Sequence, residues 1–152
     1  MQEGGRTTTD GDVVDDEIVL IKLADFGTAH GTSGGYSARE HDAAPPSRTA
    51  GTPAFYSPEM CVKGSYRGYA SDTWAAGITL CMLISGVPPF TAGHNNNNMP
   101  ELFRRIAEEE PSLPPYASRP LVDLLRGMLS KSPDERATLT QIRHHTWITR
   151  TE

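Results

Sequence analysis

The sequence contains only two cysteines, Cys61 and Cys81, among its 152 residues. They form no C-x-x-C pair, which argues against both a zinc site and a disulfide framework. Basic residues are also scarce, since 14 Lys and Arg stand against 19 Asp and Glu and the formal net charge is −5. This balance excludes a protein that binds nucleic acid through bulk positive charge.

Long hydrophobic runs are missing as well. The longest apolar stretch, residues 74–87, is interrupted by glycine and serine and is shorter than the roughly 20 residues that a membrane span needs. The first twelve residues contain no apolar signal region. We therefore predict an intracellular, cytoplasmic protein with no membrane partner and no nucleic-acid partner.

The first third of the chain has little periodicity. Residues 1–17 are polar, acidic and rich in Gly and Thr, which predicts a flexible loop or tail. Residues 18–23 form a short β-branched run that predicts a strand. Residues 27–50 are rich in Gly, Ser, His and Pro and predict a long loop, a feature that is usually functional or disordered within a domain.

From Ser71 onward the pattern becomes helical. Ser71 or Asp72 is a suitable cap for a helix over residues 73–83, which is apolar on nearly every side and should be buried. Gly86 is expected to end this helix, and the two prolines that follow prevent a restart. The asparagine-rich residues 94–98 then predict a low-complexity loop insertion.

Three more helices are expected before a short tail at residues 150–152. Pro100 and Pro120 suit the first turns of two of them. The last helix should begin at Thr138, with Gln141 completing a capping box and with Leu139 and Ile142 buried. These elements predict a mainly α fold.

A series of motifs occurs in a fixed order along the same stretch. They are Asp25-Phe26-Gly27, GTPAFYSPE at 51–59, DTWAAG at 72–77, GVPPF at 86–90, PDER at 133–136 and HTW at 145–147. The series resembles the C-terminal lobe of a eukaryotic serine/threonine protein kinase domain over residues 18–149, and is most similar to the calcium/calmodulin-dependent protein kinase kinase group. The resemblance implies a partial kinase domain made of a short strand, the activation segment and four to five helices.

The resemblance implies a chemical role for the first motif. Asp25 would be catalytic as a ligand of the Mg²⁺ ion that bridges the phosphates of ATP, so ATP and Mg²⁺ are the implied cofactors. Phe26 would pack into the core behind this cofactor-binding site, and Gly27 would allow the backbone to turn away after it. Without the rest of the series, Asp25 would be read as an ordinary turn residue.

Further site residues follow from the activation segment. By resemblance, Thr52 contacts the catalytic loop and favours Ser/Thr over Tyr substrates, although a turn threonine before proline is the alternative. Ser47 and Thr49 are candidate activation-loop phosphorylation sites, and unmodified loop residues are the alternative. The implied partner is a protein substrate, and another kinase is one possibility.

Two charged positions are expected to hold the lobe together. Glu59 and Arg136 should form a buried ion pair between the activation segment and the last helices, the alternative being two unrelated surface charges. Asp72 should anchor its helix, both as the cap and, by resemblance, as an acceptor for the backbone of the catalytic loop. Trp74 is interpreted as a core residue.

Several kinase motifs do not occur in this sequence. It has no Gly-rich loop and no H-R-D, and the run that ends at Lys22 abuts Asp25 too closely to be the phosphate-binding V-A-I-K strand. We expect that the chain begins at an internal methionine, that it transfers no phosphate alone, and that it is poorly soluble. A fragment of an active kinase is the first hypothesis, and a non-catalytic, kinase-like binding or scaffold module is the alternative. An upstream reading frame that encodes the missing motifs would separate them.

Overall fold

The computed structural model describes residues 20–28, 51–62, 68–92 and 98–149. Two 3₁₀ helices lie at Phe26–Thr28 and Pro53–Phe55. The α-helices are α1 (Pro58–Cys61), α2 (Gly68–Ser85), α3 (Met99–Glu108), α4 (Arg119–Met128), α5 (Leu139–Arg143) and α6 (Thr146–Thr149). The prediction of a mainly α fold is confirmed.

The predicted strand before Asp25 is wrong for the part that the structure describes. Residues 20–25 have no regular secondary structure, and residues 18 and 19 lie outside the described ranges. Leu20, Ile21 and Leu23 are 74%, 86% and 87% exposed. A strand needs a neighbour for its backbone N–H and C=O groups, and the described residues contain no other strand.

Helix α2 is the central element, but its limits differ from those predicted. It begins at Gly68, so Ser71 and Asp72 lie within the helix and neither occupies the cap position. At its other end, Gly86 has φ +74° and its N–H donates to the carbonyl of Met82 at 2.8 Å, which confirms the predicted stop. The helix is not buried all round, because Leu83 is 79% exposed.

One core forms around the buried face of α2. Gly77 allows a close approach there, since a Cβ at this position would lie only 2.9 Å from Cδ2 of Leu129, the residue that follows α4. Burial of each large apolar side chain contributes about 1.5–3 kcal/mol to the free energy of unfolding. The most deeply buried apolar residues are Trp74, Ile78, Cys81, Leu102, Ile106, Leu124 and Leu125.

Helices α3 and α4 begin as their prolines predict, with Pro100 and Pro120 in the first turns. Their caps were not predicted. The Asn98 side chain accepts a hydrogen bond from the backbone N–H of Glu101, and Ser118 does the same for Leu121. Asn98 is the last residue of the asparagine run, so this segment contributes a local start signal to α3.

The capping box of α5 is confirmed. The backbone N–H of Gln141 donates to Oγ1 of Thr138 at 3.3 Å, and the backbone N–H of Thr138 donates to Oε1 of Gln141 at 2.8 Å. The prediction that Leu139 is buried is wrong, because this residue is 70% exposed. Leu139 is the first residue of a five-residue helix and points away from the core, whereas Ile142 is half-buried. In the part of the chain that the structure describes, we find no helix with the length and apolar character of a membrane span.

Candidate functional site

Asp25 stands at a turn in the backbone between residues 20–24 and the 3₁₀ helix Phe26–Thr28. It has φ +61°, a left-handed conformation that aspartate tolerates better than most residues. Its side chain is exposed. A Cβ at Gly27 would lie 3.4 Å from Oδ1 of Asp25, so glycine keeps that side of the carboxylate open.

Phe26 does not occupy the position expected from sequence. It is 69% exposed, so the prediction that it packs into the core is wrong for the structure described here. The apolar side chains of residues 20–23 that precede it are also exposed. Among the described residues, Phe26 therefore forms no apolar packing behind the Asp25 carboxylate.

The segment that begins at Gly51 is held by an aromatic pair. Gly51 has φ +107°, and its carbonyl accepts a hydrogen bond from the hydroxyl of Tyr56 at 3.2 Å. The ring of Tyr56 stacks on Phe103 of α3, with centroids 6.0 Å apart and planes at 20°. Thr52 is exposed, and its side chain makes no cap to the 3₁₀ helix that follows it. Ser47 and Thr49 lie outside the described residues.

Glu59 and Arg136 meet across the fold, although 77 positions separate them in sequence. The Nη1 and Nη2 atoms of Arg136 donate to Oε1 and Oε2 of Glu59 at 2.7 and 2.9 Å. Arg136 also donates to the carbonyls of Ala70 at 2.8 Å and Ser130 at 3.1 Å. The side chains are 1% exposed for Arg136 and 13% for Glu59, so this is the buried bidentate pair that the sequence motifs suggested.

The electrostatics of this pair follow from its geometry. Burial raises the pKa of the Glu59 carboxyl, but hydrogen bonding to Arg136 and the guanidinium charge outweigh burial and hold that pKa below its usual value. Glu59 is therefore ionised in the folded protein at neutral pH. Removal of either partner would leave the other charge buried without compensation.

Ser57 adds a hydroxyl to this cluster. It is fully buried, and its Oγ lies 3.1 Å from Oγ of Ser71. Ser71 donates in turn to Oε1 of Glu59 at 3.2 Å. The Ser57 hydroxyl thus belongs to the same hydrogen-bonded network as the ion pair, and this network links the start of α1 to the first turns of α2.

Asp72 is the next residue along α2, and no hydrogen bond among the described residues joins it to this network. It is exposed, and partial burial nonetheless raises the pKa of its carboxyl. Because α2 begins four residues earlier, the cap role is wrong. Its implied role as an acceptor for the catalytic-loop backbone remains a prediction.

Trp74 is fully buried, and two cations lie close to its ring. The guanidinium carbon of Arg136 and Nζ of Lys131 each lie 5.2 Å from the indole centroid. Phe90 stacks on the same indole, with centroids 5.8 Å apart and planes at 7°. The prediction that Trp74 is a core residue is confirmed, and the cation–π contacts join it to the Glu59–Arg136 pair.

A magnesium ion held jointly with a nucleotide needs only part of its ligands from the protein. Mg²⁺ prefers oxygen ligands and is commonly bound by one or two carboxylates together with substrate phosphates. Asp25 is exposed and could offer one such carboxylate, and it has no hydrogen-bond partner among the described residues. Those residues hold no group of three or more His, Cys, Asp or Glu side chains arranged to bind a metal by themselves.

Sequence reasoning missed three features of this region. The Tyr56–Phe103 stack, the Ser57–Ser71 contact and the position of Lys131 depend on contacts between distant parts of the chain. Neither the stack nor the lysine has a local pattern that predicts it.

Comparison with known proteins shows which family and which proteins this chain is similar to. The family described as the protein kinase domain matches residues 12–148. A calcium/calmodulin-dependent protein kinase kinase of Caenorhabditis elegans is 37% identical over 139 residues, covering 88% of this chain and 24% of the relative. The serine/threonine-protein kinase GRIK1 of Arabidopsis thaliana is 36% identical over 102 residues, covering 67% of this chain and 25% of that protein.

A third relative extends the similarity to fungi. The serine/threonine-protein kinase ssp1 of Schizosaccharomyces pombe is 34% identical over 134 residues, covering 84% of this chain and 20% of the relative. The chain therefore spans about a quarter or less of the length of these curated relatives.

Proposed function

Since the chain belongs to the protein kinase domain family, we propose that it forms the C-terminal part of a serine/threonine protein kinase. The reaction is transfer of the γ-phosphoryl group of ATP to Ser or Thr hydroxyls of a protein substrate. The observation that carries this proposal is the family match over residues 12–148, within which Asp25 presents an open carboxylate directly before Phe26 and Gly27.

Asp25 has the central role in this proposal. Kinase catalysis depends on positioning and on electrostatic stabilisation of the phosphoryl group. When bound, Mg²⁺ neutralises the charge that develops on the ATP phosphates. The Asp25 carboxylate would hold the ion, and the open side at Gly27 leaves room for a phosphate to approach it.

Thr52, Ser47 and Thr49 complete the proposed site. Thr52 would contact the catalytic loop next to the pocket for the residue that follows the phosphoacceptor, and its exposed side chain supports this role. Phosphorylation of Ser47 or Thr49 would add charge that pairs with arginines and orders the activation loop. A cytoplasmic location, where ATP and protein substrates are available, remains part of the proposal.

The substrate is proposed to be another protein kinase. The support is similarity to the Caenorhabditis elegans relative, whose name describes a protein kinase kinase. Regulation by calcium and calmodulin is not part of the proposal, because the similarity covers only 24% of that relative.

Phosphoryl transfer by the proposed kinase, with this chain as its C-terminal part, provides the test. Asp25→Asn removes the metal-binding charge with little change in size, so transfer to a Ser/Thr peptide should fall by about a hundredfold or more. Glu108→Gln is the matched control, because it removes an exposed carboxylate from α3 and should leave the rate unchanged. An Asp25→Asn protein as active as the parent would contradict the proposal.

A non-catalytic binding or scaffold module is the second candidate. It is favoured by one observation: Phe26 and the apolar residues of 20–23 are exposed and make no part of the core that α2, α3 and α4 share. A longer protein that shows no ATP-dependent transfer while it retains this folded helical core would support this candidate. The 152-residue chain alone is expected to transfer no phosphate, since its sequence carries no H-R-D and no Gly-rich loop.

A further inference from the structure

The segment at residues 51–56 is closed on itself by three hydrogen bonds. The backbone N–H of Phe55 donates to the carbonyl of Thr52 at 3.0 Å, and that of Tyr56 donates to the carbonyl of Pro53 at 3.1 Å. The hydroxyl of Tyr56 donates to the carbonyl of Gly51 at 3.2 Å. Thr52 therefore lies inside a short loop whose two ends are joined through the Tyr56 side chain.

The two ends of this loop are anchored unequally. Phe55 packs against the hydrophobic core and Ser57 is fully buried, so packing fixes the end that leads into α1. Gly51 and Thr52 at the other end are exposed, and the Thr52 side chain has no hydrogen-bond partner among the described residues. In that part of the chain, the Tyr56 hydroxyl is the only side-chain group hydrogen-bonded to either of them.

Helix α3 fixes the ring of Tyr56. This ring stacks on Phe103 with centroids 6.0 Å apart, and Phe103 itself packs against the hydrophobic core. The contacts thus run from α3 through the ring and hydroxyl of Tyr56 to the backbone that carries Thr52. A supporting side chain of this kind decides how precisely a site residue is held.

We propose that Tyr56 is a positioning residue for peptide binding, which holds the loop around Thr52 in the conformation that accepts the protein substrate. The inference rests on the proposed function, in which Thr52 lies next to the pocket for the residue that follows the phosphoacceptor. Tyr56 acts through the Gly51 carbonyl and takes no part in the transfer itself. When this hydrogen bond is lost, only a fraction of the molecules hold the loop in the accepting conformation, and the apparent affinity for substrate falls by that fraction.

Steady-state kinetics of the proposed kinase, with this chain as its C-terminal part, test the proposal through Tyr56→Phe. This change keeps the stacking ring and removes only the hydroxyl. The KM for a Ser/Thr peptide should rise by about three- to tenfold, the equivalent of one lost hydrogen bond. The kcat and the KM for ATP should stay within about twofold of the parent values, because the variant retains the chemistry and the nucleotide contacts. An unchanged peptide KM, or an equal change in kcat or in the KM for ATP, overturns the proposal.

Tyr116→Phe is the matched control. The Tyr116 hydroxyl also donates to a backbone carbonyl, that of Ile84 at 2.9 Å, but it does so in the last turn of α2. The change removes the same kind of hydrogen bond and should leave the peptide KM unchanged. A rise equal to that of Tyr56→Phe would mean that a general loss of stability causes both effects, and would overturn the proposal.

Phe103→Leu tests the connection to α3. It removes the aromatic partner of Tyr56 and keeps an apolar side chain against the core, so the peptide KM should rise by about two- to tenfold. The double variant Tyr56→Leu with Phe103→Leu should show no larger rise than Tyr56→Leu alone, because both changes break the same connection. Effects that multiply in the double variant would show that Phe103 acts independently of Tyr56, and would overturn this connection.

Amide hydrogen exchange separates a failure of this inference from a failure of the proposed function. In Tyr56→Phe the backbone N–H of Phe55 should exchange about three times faster than in the parent protein, or more, while exchange within α4 stays the same. This measurement does not depend on phosphoryl transfer. A parent protein that transfers no phosphate would contradict the proposed function, whereas unchanged exchange at Phe55 would overturn the role of Tyr56 in an active or an inactive protein.

Discussion

Residues 20–28 and the region that contains α1 to α6 hold their motif residues in opposite ways. In the first, Phe26 is 69% exposed and Asp25 has no partner among the described residues. In the second, the whole Arg136 residue is 4% exposed, and both Nη atoms of its guanidinium donate to the Glu59 carboxylate. Arg136 is therefore a residue that stabilises the fold, whereas Asp25 is a residue expected to take part in catalysis.

The helical region supplies its own constraints. Glu59, Arg136, Trp74 and Lys131 form a continuous series of contacts from α1 to the last turn of α3. Each member is held by at least one other member, so its position is set by packing within the described residues. Asp25 has no such support there, and its position depends on the local backbone conformation.

The largest stability effect should come from Arg136→Met. This change leaves the Glu59 carboxylate buried without its partner and should lower the free energy of unfolding by about 3–5 kcal/mol. Chemical unfolding followed by circular dichroism measures the loss. The double variant Glu59→Leu with Arg136→Met removes both charges and should recover a large part of it, because a buried pair replaced by apolar groups is often close to neutral.

A loss below about 1 kcal/mol for Arg136→Met would place the pair among ordinary surface ion pairs. Such a result would remove the contrast between the two regions, because the ion pair would then contribute little to the stability of the helical region.

A smaller effect is expected when Glu59 is protonated. Because the folded state holds the pKa of Glu59 below its usual value of 4.5, the stability that this carboxylate contributes is present above pH 4.5. It is lost as the pH falls through the lower pKa of the folded state. Unfolding free energies measured from pH 6 to pH 3 should therefore fall less steeply for Glu59→Gln than for the parent protein, whereas an identical slope would contradict this account.

The smallest effect is expected in residues 20–28. Leu23 is 87% exposed, so Leu23→Ser should change the free energy of unfolding by less than about 0.5 kcal/mol. The same unfolding measurement checks this value. A loss of about 2 kcal/mol or more would show that this segment is buried in the folded protein, and the comparison of the two regions would fail.

Local signals in the sequence predicted local structure well. Pro100, Pro120, Gly86 and the Thr138–Gln141 box each act within one or two turns, and the helices begin or end where these residues indicate. A cap is harder to assign when several candidates lie close together. The sequence favours Ser71 or Asp72 as the cap, but α2 begins earlier, at Gly68.

Features that depend on distant residues were not derivable from patterns. Residues 18–23 have strand composition, but a strand also needs a partner, and composition cannot supply one. Glu59 and Arg136 are 77 positions apart, and only the resemblance to a known family paired them. No periodicity in the sequence places Lys131 beneath the last turn of α3 or Tyr56 against Phe103.

The most direct test of the account is magnesium-dependent ATP binding by the proposed kinase of which this chain would form the C-terminal part. Calorimetric titration with and without Mg²⁺ compares the parent protein with Asp25→Asn. We predict that Mg²⁺ tightens ATP binding in the parent and has little effect in the variant, while the unfolding free energies of the two proteins agree. An Asp25→Asn protein whose ATP affinity responds to Mg²⁺ as the parent does would contradict the role assigned to this carboxylate.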